Sequence, residues 1–157
     1  KMVIGTVKGD LHDIGKIGIR DDILLKPGRL TDQEFEKIKE HPVIGANILA
    51  QLGMWDKERH IIRCHHERYD GTGYPDGLRQ QQIPFLARIL SLADVYDALT
   101  CKRVYKEPMS HDKVRQIIIA ESGKHFDPKV VEAFLATEDL FQTVALEMQS
   151  EVEKENE

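Results

Sequence analysis

The chain has 157 residues, enough to bury the core of one domain, and its 41% hydrophobic and 31% charged residues are typical of a globular protein. A net charge of −5 argues against general nucleic-acid binding, although a small phosphorylated substrate stays open because metal ions can supply positive charge. The apolar runs are too short to cross a bilayer, and Cys64 and Cys101 do not make a disulfide framework. We therefore expect a cytoplasmic protein with reduced thiols and no membrane partner.

Apolar residues recur mainly with helical spacing, and no alternating strand pattern is convincing, so the sequence predicts an all-α bundle. The first clear helix begins at Thr31, which forms a capping box with Glu34. We expect this helix to carry Phe35 and Ile38 inward.

Pro42 breaks or restarts that helix, which places His41 at a helix junction. The apolar stripe continues to Gly53, which ends it. Asp56 then caps a further helix that leads to a pair of histidines.

Residues 70–84 are rich in glycine and predict a structured loop. Pro84 can open a long helix through Leu99. Ser110 and Asp127 precede two further helices. The long helix offers these residues to the core: Leu86, Ile89, Leu90, Ala93 and Val95.

Three separated segments carry imidazole and carboxylate groups that could bind metal. The candidate ligands are His12, Asp13, His41, His65, His66 and Asp94. Such mixed sets suit first-row metals such as iron, manganese, zinc or nickel. Two neighbouring metals can activate a water and stabilise the leaving oxygen of a phosphodiester, so the pattern favours a hydrolase.

Several residues near these segments keep two interpretations. Lys16 could place its ammonium against a phosphate or donate a proton. Arg103 and Lys106 are either phosphate clamps or solvated surface charges. Cys64 precedes the histidine pair, so it is either a further ligand or a half-buried thiol.

The motifs together resemble the HD-GYP family of bacterial cyclic di-GMP phosphodiesterases over residues 11–137. The resemblance rests on HDIGKIGI at 12–19, ILLKPGRLT at 23–31, HPVIGANIL at 41–49, HHERYDGTGYPDGL at 65–78, IPFLARILSLADVYDALT at 83–100 and HFDPKVVEAF at 125–134. It implies an HD-type helical bundle with two or three divalent metals, often iron or manganese. It also implies hydrolysis of cyclic di-GMP to pGpG or GMP.

The resemblance also implies residue roles. The metal ligands would be His12, Asp13, His41, His65, His66 and Asp94. Asp13 would bridge the metals, and Lys16 would contact a substrate phosphate or assist catalysis. Arg103 and Lys106 match positions that bind the nucleotide.

The turn formed by Gly73, Tyr74 and Pro75 would shape the substrate wall. It would also contact signalling partners of the GGDEF type, and its glycines would permit backbone angles that a side chain forbids.

The start of the chain departs from the family, whose members have a longer helical region with further ligands there. We expect an atypical segment at 1–11, an HD-GYP domain at 12–146 and an acidic tail at 147–157 that is a frayed helix end. A homodimer could fill the gap. Alternatively, the fold binds nucleotide or a partner without turnover. More remotely, Asp10, His12 and Gly15 resemble the start of a cobalamin-binding module, which is an α/β fold.

Overall fold

A computed structural model describes residues 11–51, 56–101 and 107–155, with side chains up to residue 147. The chain forms two compact units, Lys1–Leu90 and Ser91–Glu157. The described residues form helices and loops, with one isolated β-bridge between Ser122 and Phe126 but no strand. This confirms the all-α prediction and disfavours the α/β cobalamin-binding module. Among the described helices, none has the length and apolar character that a membrane span requires.

The first unit contains all the candidate ligands except Asp94. In chain order its helices are a 3-10 helix at Ile14–Gly18, α1 (Asp21–Leu24), α2 (Asp32–Ile38), α3 (His41–Gln51), α4 (Asp56–Cys64), a 3-10 helix at Gln80–Gln82 and the start of α5 (Phe85–Thr100). The second unit contains the rest of α5, α6 (His111–Ala120), α7 (Pro128–Ala136) and α8 (Glu138–Glu155). The acidic tail predicted to fray is therefore helical through Glu155.

The predicted caps of α2 and α7 are formed, whereas Asp56 is the first residue of α4 and Ser110 makes no side-chain capping hydrogen bond to α6. The Thr31 side chain accepts a hydrogen bond from the Glu34 backbone N–H, and the Glu34 carboxylate accepts one from the Thr31 N–H at 2.7 Å. This reciprocal capping box satisfies two amide groups that have no partner inside the helix. Asp127 caps α7 by accepting from the Lys129 N–H at 2.9 Å, with Pro128 in the first turn.

Two glycines let the first 3-10 helix lie directly on α3. A Cβ atom on Gly15 would stand 1.9 Å from the His41 carbonyl oxygen and 2.6 Å from the Gly45 nitrogen. Such distances are far below van der Waals contact, so only glycine fits at position 15. This close approach brings Asp13, which precedes the helix, to the start of α3.

The inward face of two helices differs from the sequence prediction. Phe35, expected in the core, is 45% exposed, and Leu86 is 37% exposed. The first buried residue of α5 is Ala87. It packs with Cys64 and with Ile83, which lies just before the helix and is also fully buried. The Phe35 ring stays partly exposed, and its described cation contact is the Lys39 ammonium, 5.1 Å from the ring centroid.

The second unit has its own apolar core around α5, α6 and α7. Its buried side chains include Leu92, Tyr96, Val114, Ile118, Phe126, Val130, Val131 and Phe134. Val114 and Ile118 are the buried residues of α6. Aromatic rings dominate the α7 side, where Phe134 contacts Tyr96 at 5.7 Å between centroids.

Candidate metal centre

Two histidines are oriented by the ends of the helices that precede them. The His41 Nδ1 atom lies 2.7 Å from the carbonyl oxygen of Ile38, the last residue of α2. The His65 Nδ1 atom lies 2.6 Å from the carbonyl oxygen of Ile62 in the last turn of α4. Terminal helix carbonyls have no partner within the helix, so each accepts the imidazole N–H. Donation from Nδ1 leaves the Nε2 lone pair of each ring as a metal donor.

The two Nε2 atoms face each other across a buried space. They are 3.4 Å apart, and the His41 Nε2 atom is also 3.3 Å from the Asp13 carboxylate. Both imidazoles are 1% exposed. Burial lowers the pKa of His65 to about 4, so its ring is neutral at physiological pH. A neutral ring is the form that binds a metal ion.

A fourth donor completes the cluster. Asp13, His41, His65 and His66 each offer one ligand atom, and these four atoms lie within 4.8 Å of one another. Three imidazoles and one carboxylate fit a first-row divalent ion and differ from the thiolate sets of structural zinc sites. We call these four residues the metal cluster.

The Asp13 carboxylate is held in its charged form. Burial by itself would raise its pKa, but hydrogen bonds with His41 and Lys16 outweigh this and keep the pKa well below its usual range. The Lys16 ammonium contacts one carboxylate oxygen, while His41 lies against the other. Asp13 thus presents an anionic oxygen to the cluster at any pH near neutral.

The loop after the histidine pair is fixed by a buried carboxylate that the sequence analysis gave no role. Glu67, which is 2% exposed, accepts hydrogen bonds from the backbone N–H groups of Asp76 at 2.7 Å and Leu78 at 3.0 Å. Arg63 and Asp76 pair through two 2.7 Å hydrogen bonds at the same end of the loop. An acidic residue directly between a histidine pair and a glycine-rich turn is the only sequence signal for this role.

Gly73 is required for close packing, which corrects the prediction about its backbone angle. A Cβ atom there would lie 2.3 Å from the Arg68 nitrogen and 2.6 Å from the His66 carbonyl oxygen. The positive φ angles in this loop occur at Gly71 and Gly77 instead, at 81° and 65°. Gly73 therefore lets the turn lie against the backbone of the histidine pair.

The next residues of the turn are placed beside the cluster. The Tyr74 ring stacks on the His66 ring with centroids 4.9 Å apart, and the Tyr74–Pro75 peptide bond is cis. The Tyr74 N–H also donates to the His66 carbonyl oxygen at 3.3 Å. One face of the His66 ring is therefore covered by this turn.

The remaining predicted site residues are not part of the metal cluster. His12 is buried beside it, with its ring 4.9 Å from that of His65 and its Nε2 atom 3.6 Å from Asp13. Asp94 lies on α5 in the second unit. Arg103 and Lys106 lie outside the described residues.

Cys64 is a thiol in the apolar core. It is 2% exposed and packs with Ile83 and Ala87. Burial, followed by the charges of Glu67 and Asp76, raises its pKa to about 11, so it is protonated at neutral pH. Its sulfur is not among the clustered ligand atoms of the described chain.

Comparison with known families matches residues 7–130 to the family described as HD domain. The chain belongs to the HD domain family. This confirms the family recognised from the motifs.

Relatives with assigned activities share much of this HD domain sequence. A cyclic di-GMP phosphodiesterase of Vibrio cholerae is 53% identical over 147 residues, covering 86% of this chain and 29% of the relative. A cyclic di-GMP phosphodiesterase of Thermotoga maritima is 48% identical, covering 82% of this chain and 35% of the relative. A 3'3'-cGAMP-specific phosphodiesterase of Vibrio cholerae is 42% identical, covering 83% and 26%. The chain therefore spans about a third or less of the length of these relatives.

A solved structure has the same fold. The crystal structure of a cyclic GMP-AMP-specific phosphodiesterase of Vibrio cholerae matches with a TM-score of 0.61 at 20% identity, covering 86% of this chain and 38% of that one. At this identity the likeness concerns the fold, and it agrees with the helical architecture described above.

Proposed function

We propose that this HD domain hydrolyses cyclic di-GMP to pGpG, GMP or both, as a metal-dependent phosphodiesterase. The observation that carries the proposal is the metal cluster, in which four donor atoms of Asp13, His41, His65 and His66 lie within 4.8 Å. The identity to cyclic di-GMP phosphodiesterases supports the choice of substrate.

The cluster is proposed to hold divalent metals, with His12 and Asp94 completing the ligand set. Two ions are expected and a third is compatible with the family; iron or manganese is favoured, and zinc or nickel also suits these donors. When bound, such ions polarise a phosphodiester and activate water for its attack. The family resemblance assigns Asp13 as the proposed bridging ligand. Its Oδ1 atom lies 3.3 Å from the His41 Nε2 atom and its Oδ2 atom lies 3.6 Å from the His12 Nε2 atom, so each oxygen faces another candidate ligand.

The residues around the cluster are proposed to bind and orient the substrate. Lys16 has a side chain that is 44% exposed, so its ammonium can reach a phosphate oxygen while it still contacts Asp13. The turn of Gly73, Tyr74 and Pro75 forms a wall beside His66. The resemblance assigns Arg103 and Lys106 to nucleotide binding.

Further parts of the proposal concern partners and location. The loop around Tyr74 is partly exposed, which suits contact with GGDEF-type signalling proteins. A homodimer is also proposed. Cys64 and Cys101 form no disulfide, which suits a cytoplasmic location because thiols stay reduced there.

A related substrate is the second candidate. The 42% identity with a 3'3'-cGAMP-specific phosphodiesterase favours a mixed guanine–adenine cyclic dinucleotide as an alternative. The two substrates have the same phosphodiester chemistry and differ in one base, so they are separated by comparing kcat/KM.

The test measures metal content and hydrolysis on one anaerobic sample of the whole chain with added iron or manganese. We expect about two metals per chain and turnover of cyclic di-GMP, with both lost in His65→Ala. His60→Ala is the matched control, because His60 also contacts a backbone carbonyl at 2.6 Å but lies on an exposed face of α4. If the chain binds metal but hydrolyses neither dinucleotide, the proposed enzymatic function would be wrong and a binding module would take its place.

A further inference from the structure

Lys39 lies between the exposed Phe35 ring and Tyr74 in the turn formed by Gly73, Tyr74 and Pro75. Phe35 on α2 is 45% exposed although it is a large apolar side chain. The Lys39 Nζ atom lies 5.1 Å from the centroid of the Phe35 ring and 5.8 Å from that of the Tyr74 ring. The ammonium therefore bridges an aromatic ring of α2 and an aromatic ring of the loop. It also pairs with Glu36 on the same helix.

This patch is continuous with the metal cluster. Tyr74 stacks at 4.9 Å and 30° on His66, which is one of the four clustered donors. A ligand bound at the cluster through a phosphate would reach Phe35 by passing the Tyr74 ring and then Lys39, which contacts both rings.

The residue types fit a purine base. Exposed aromatic rings bind nucleobases by stacking, which any base permits. A lysine ammonium donates to the O6 and N7 acceptors of guanine, whereas adenine presents an amino donor in place of O6. The Lys39 ammonium lies over the Phe35 ring, so a base that stacks there would displace it from the ring face and leave it at the base edge as a donor.

We propose that Phe35 and Lys39 form a purine subsite of the metal centre, in which Phe35 stacks on a base and Lys39 donates to its acceptor edge. This inference rests on the proposed function and deepens it, because it assigns the binding of one base of the dinucleotide. Its ligand class is a guanine nucleotide.

The chain supplies a matched control for each residue. Phe85 is 54% exposed and has the Arg88 guanidinium 5.2 Å from its ring centroid, which repeats the local arrangement without Tyr74. Lys37 of α2 pairs with Glu40 at 2.9 Å, as Lys39 pairs with Glu36. Phe85→Ala and Lys37→Met therefore remove the same groups without touching the proposed subsite.

The first experiment isolates the contribution of the base. Calorimetry on the manganese-loaded whole chain compares GMP with ribose 5-phosphate, which has the phosphate and sugar but no base. We expect GMP to bind about tenfold more tightly, and Phe35→Ala to remove most of this difference. Lys39→Met is expected to weaken GMP binding about fivefold. Equal affinities of GMP and ribose 5-phosphate in the unchanged chain would overturn the inference, as would equal effects of Phe35→Ala and Phe85→Ala.

The second experiment separates this inference from the proposed function. With cyclic di-GMP, Phe35→Ala should raise KM about tenfold and affect kcat much less, and Phe35→Trp should restore the lower KM because indole also stacks. A chain that hydrolyses cyclic di-GMP with no change of KM in Phe35→Ala keeps the proposed function and loses the subsite. A chain without turnover that binds GMP through Phe35 keeps the subsite and loses the proposed function.

Discussion

The Nε2 atoms of His41 and His65 face each other at 3.4 Å because each ring donates its other nitrogen to a helix carbonyl. The backbone carbonyls of α2 and α4 thus fix Nε2 as the nitrogen of each ring that faces the cluster, whether or not an ion is bound. This arrangement explains why two histidines that are 24 residues apart in sequence present the same atom to one point.

The first prediction concerns the affinity of the cluster for a metal. His65→Ala removes one of four clustered donors and is expected to lower the affinity for Mn²⁺ by at least about 100-fold. Calorimetric titration of the metal-free chain measures this change. His60→Ala should keep the original affinity, and a similar loss in that variant would show that the effect is not specific to the cluster.

The second prediction concerns the contact between the first 3-10 helix and α3. Gly15→Ala would place a methyl group 1.9 Å from the His41 carbonyl oxygen, so the backbone must separate. We expect a loss of about 3 kcal/mol in the free energy of unfolding. Urea denaturation measures it against Gly18→Ala, whose methyl would first meet the flexible Ile44 side chain, at 3.0 Å. The Gly18 variant should lose less than about 1 kcal/mol, and equal losses would contradict the packing argument.

The third prediction concerns the carboxylate that fixes the loop. Glu67→Gln replaces one acceptor oxygen by an amino group facing the N–H groups of Asp76 and Leu78. One of these amides then lacks a partner, which should destabilise the fold by about 1–3 kcal/mol. Hydrogen exchange at the two amides should become faster. Glu132→Gln, on the exposed side of α7, provides the control and should change neither measurement.

The fourth prediction concerns pH. Hydrogen bonds from Lys26 and from the Thr31 backbone lower the pKa of Glu34 from 4.5 to about 2. Since the pKa is lower in the folded chain, the stabilising contribution is complete above about pH 4.5 and is lost as the pH falls towards 2. Glu34→Gln should therefore melt at a lower temperature than the unchanged chain at pH 7, with a difference that shrinks below pH 4.5.

A partner variant checks the origin of that difference. Lys26→Met removes the ammonium that donates to Glu34 at 2.7 Å. Replacing Glu34 in the Lys26→Met background should then have a smaller effect. An undiminished effect would mean that the Thr31 cap, rather than the ion pair, is responsible.

The fifth prediction concerns the two thiols. Cys64 is 2% exposed with a pKa raised to about 11, whereas Cys101 is partly exposed. In the folded chain, a thiol reagent should modify Cys101 rapidly and Cys64 at least about 100-fold more slowly. Peptide mass spectrometry distinguishes the two sites, and both should react once the chain is unfolded. Rapid modification of Cys64 in the folded chain would contradict its burial.

The sequence predicted features whose causes are local. The capping box of Thr31 and Glu34 depends on residues three positions apart, and it was found. The histidine pair was also recognisable, because adjacent imidazoles before a glycine-rich turn are rare. His41 was placed at a helix junction, and it is the first residue of α3.

Features that depend on distant contacts were missed. Gly73 was expected to adopt an unusual backbone angle. Glycine is needed there instead because a Cβ atom would lie 2.3 Å from the Arg68 nitrogen. Nothing in the periodicity indicated that Phe35 is exposed, because that depends on what packs around α2. The role of Glu67 requires knowing that the chain returns to it nine and eleven residues later, which no local pattern specifies.

The orientation of the two histidines links cation binding to the order of two helix ends. His41 donates to the last carbonyl of α2, and His65 donates to a carbonyl in the last turn of α4. Both histidines belong to the metal cluster. Unwinding of either helix end would turn its ring away, so an ion held by both rings must oppose that unwinding. The C-terminal turns of α2 and α4 would then behave as one cooperative unit when an ion is bound and as two independent units without it.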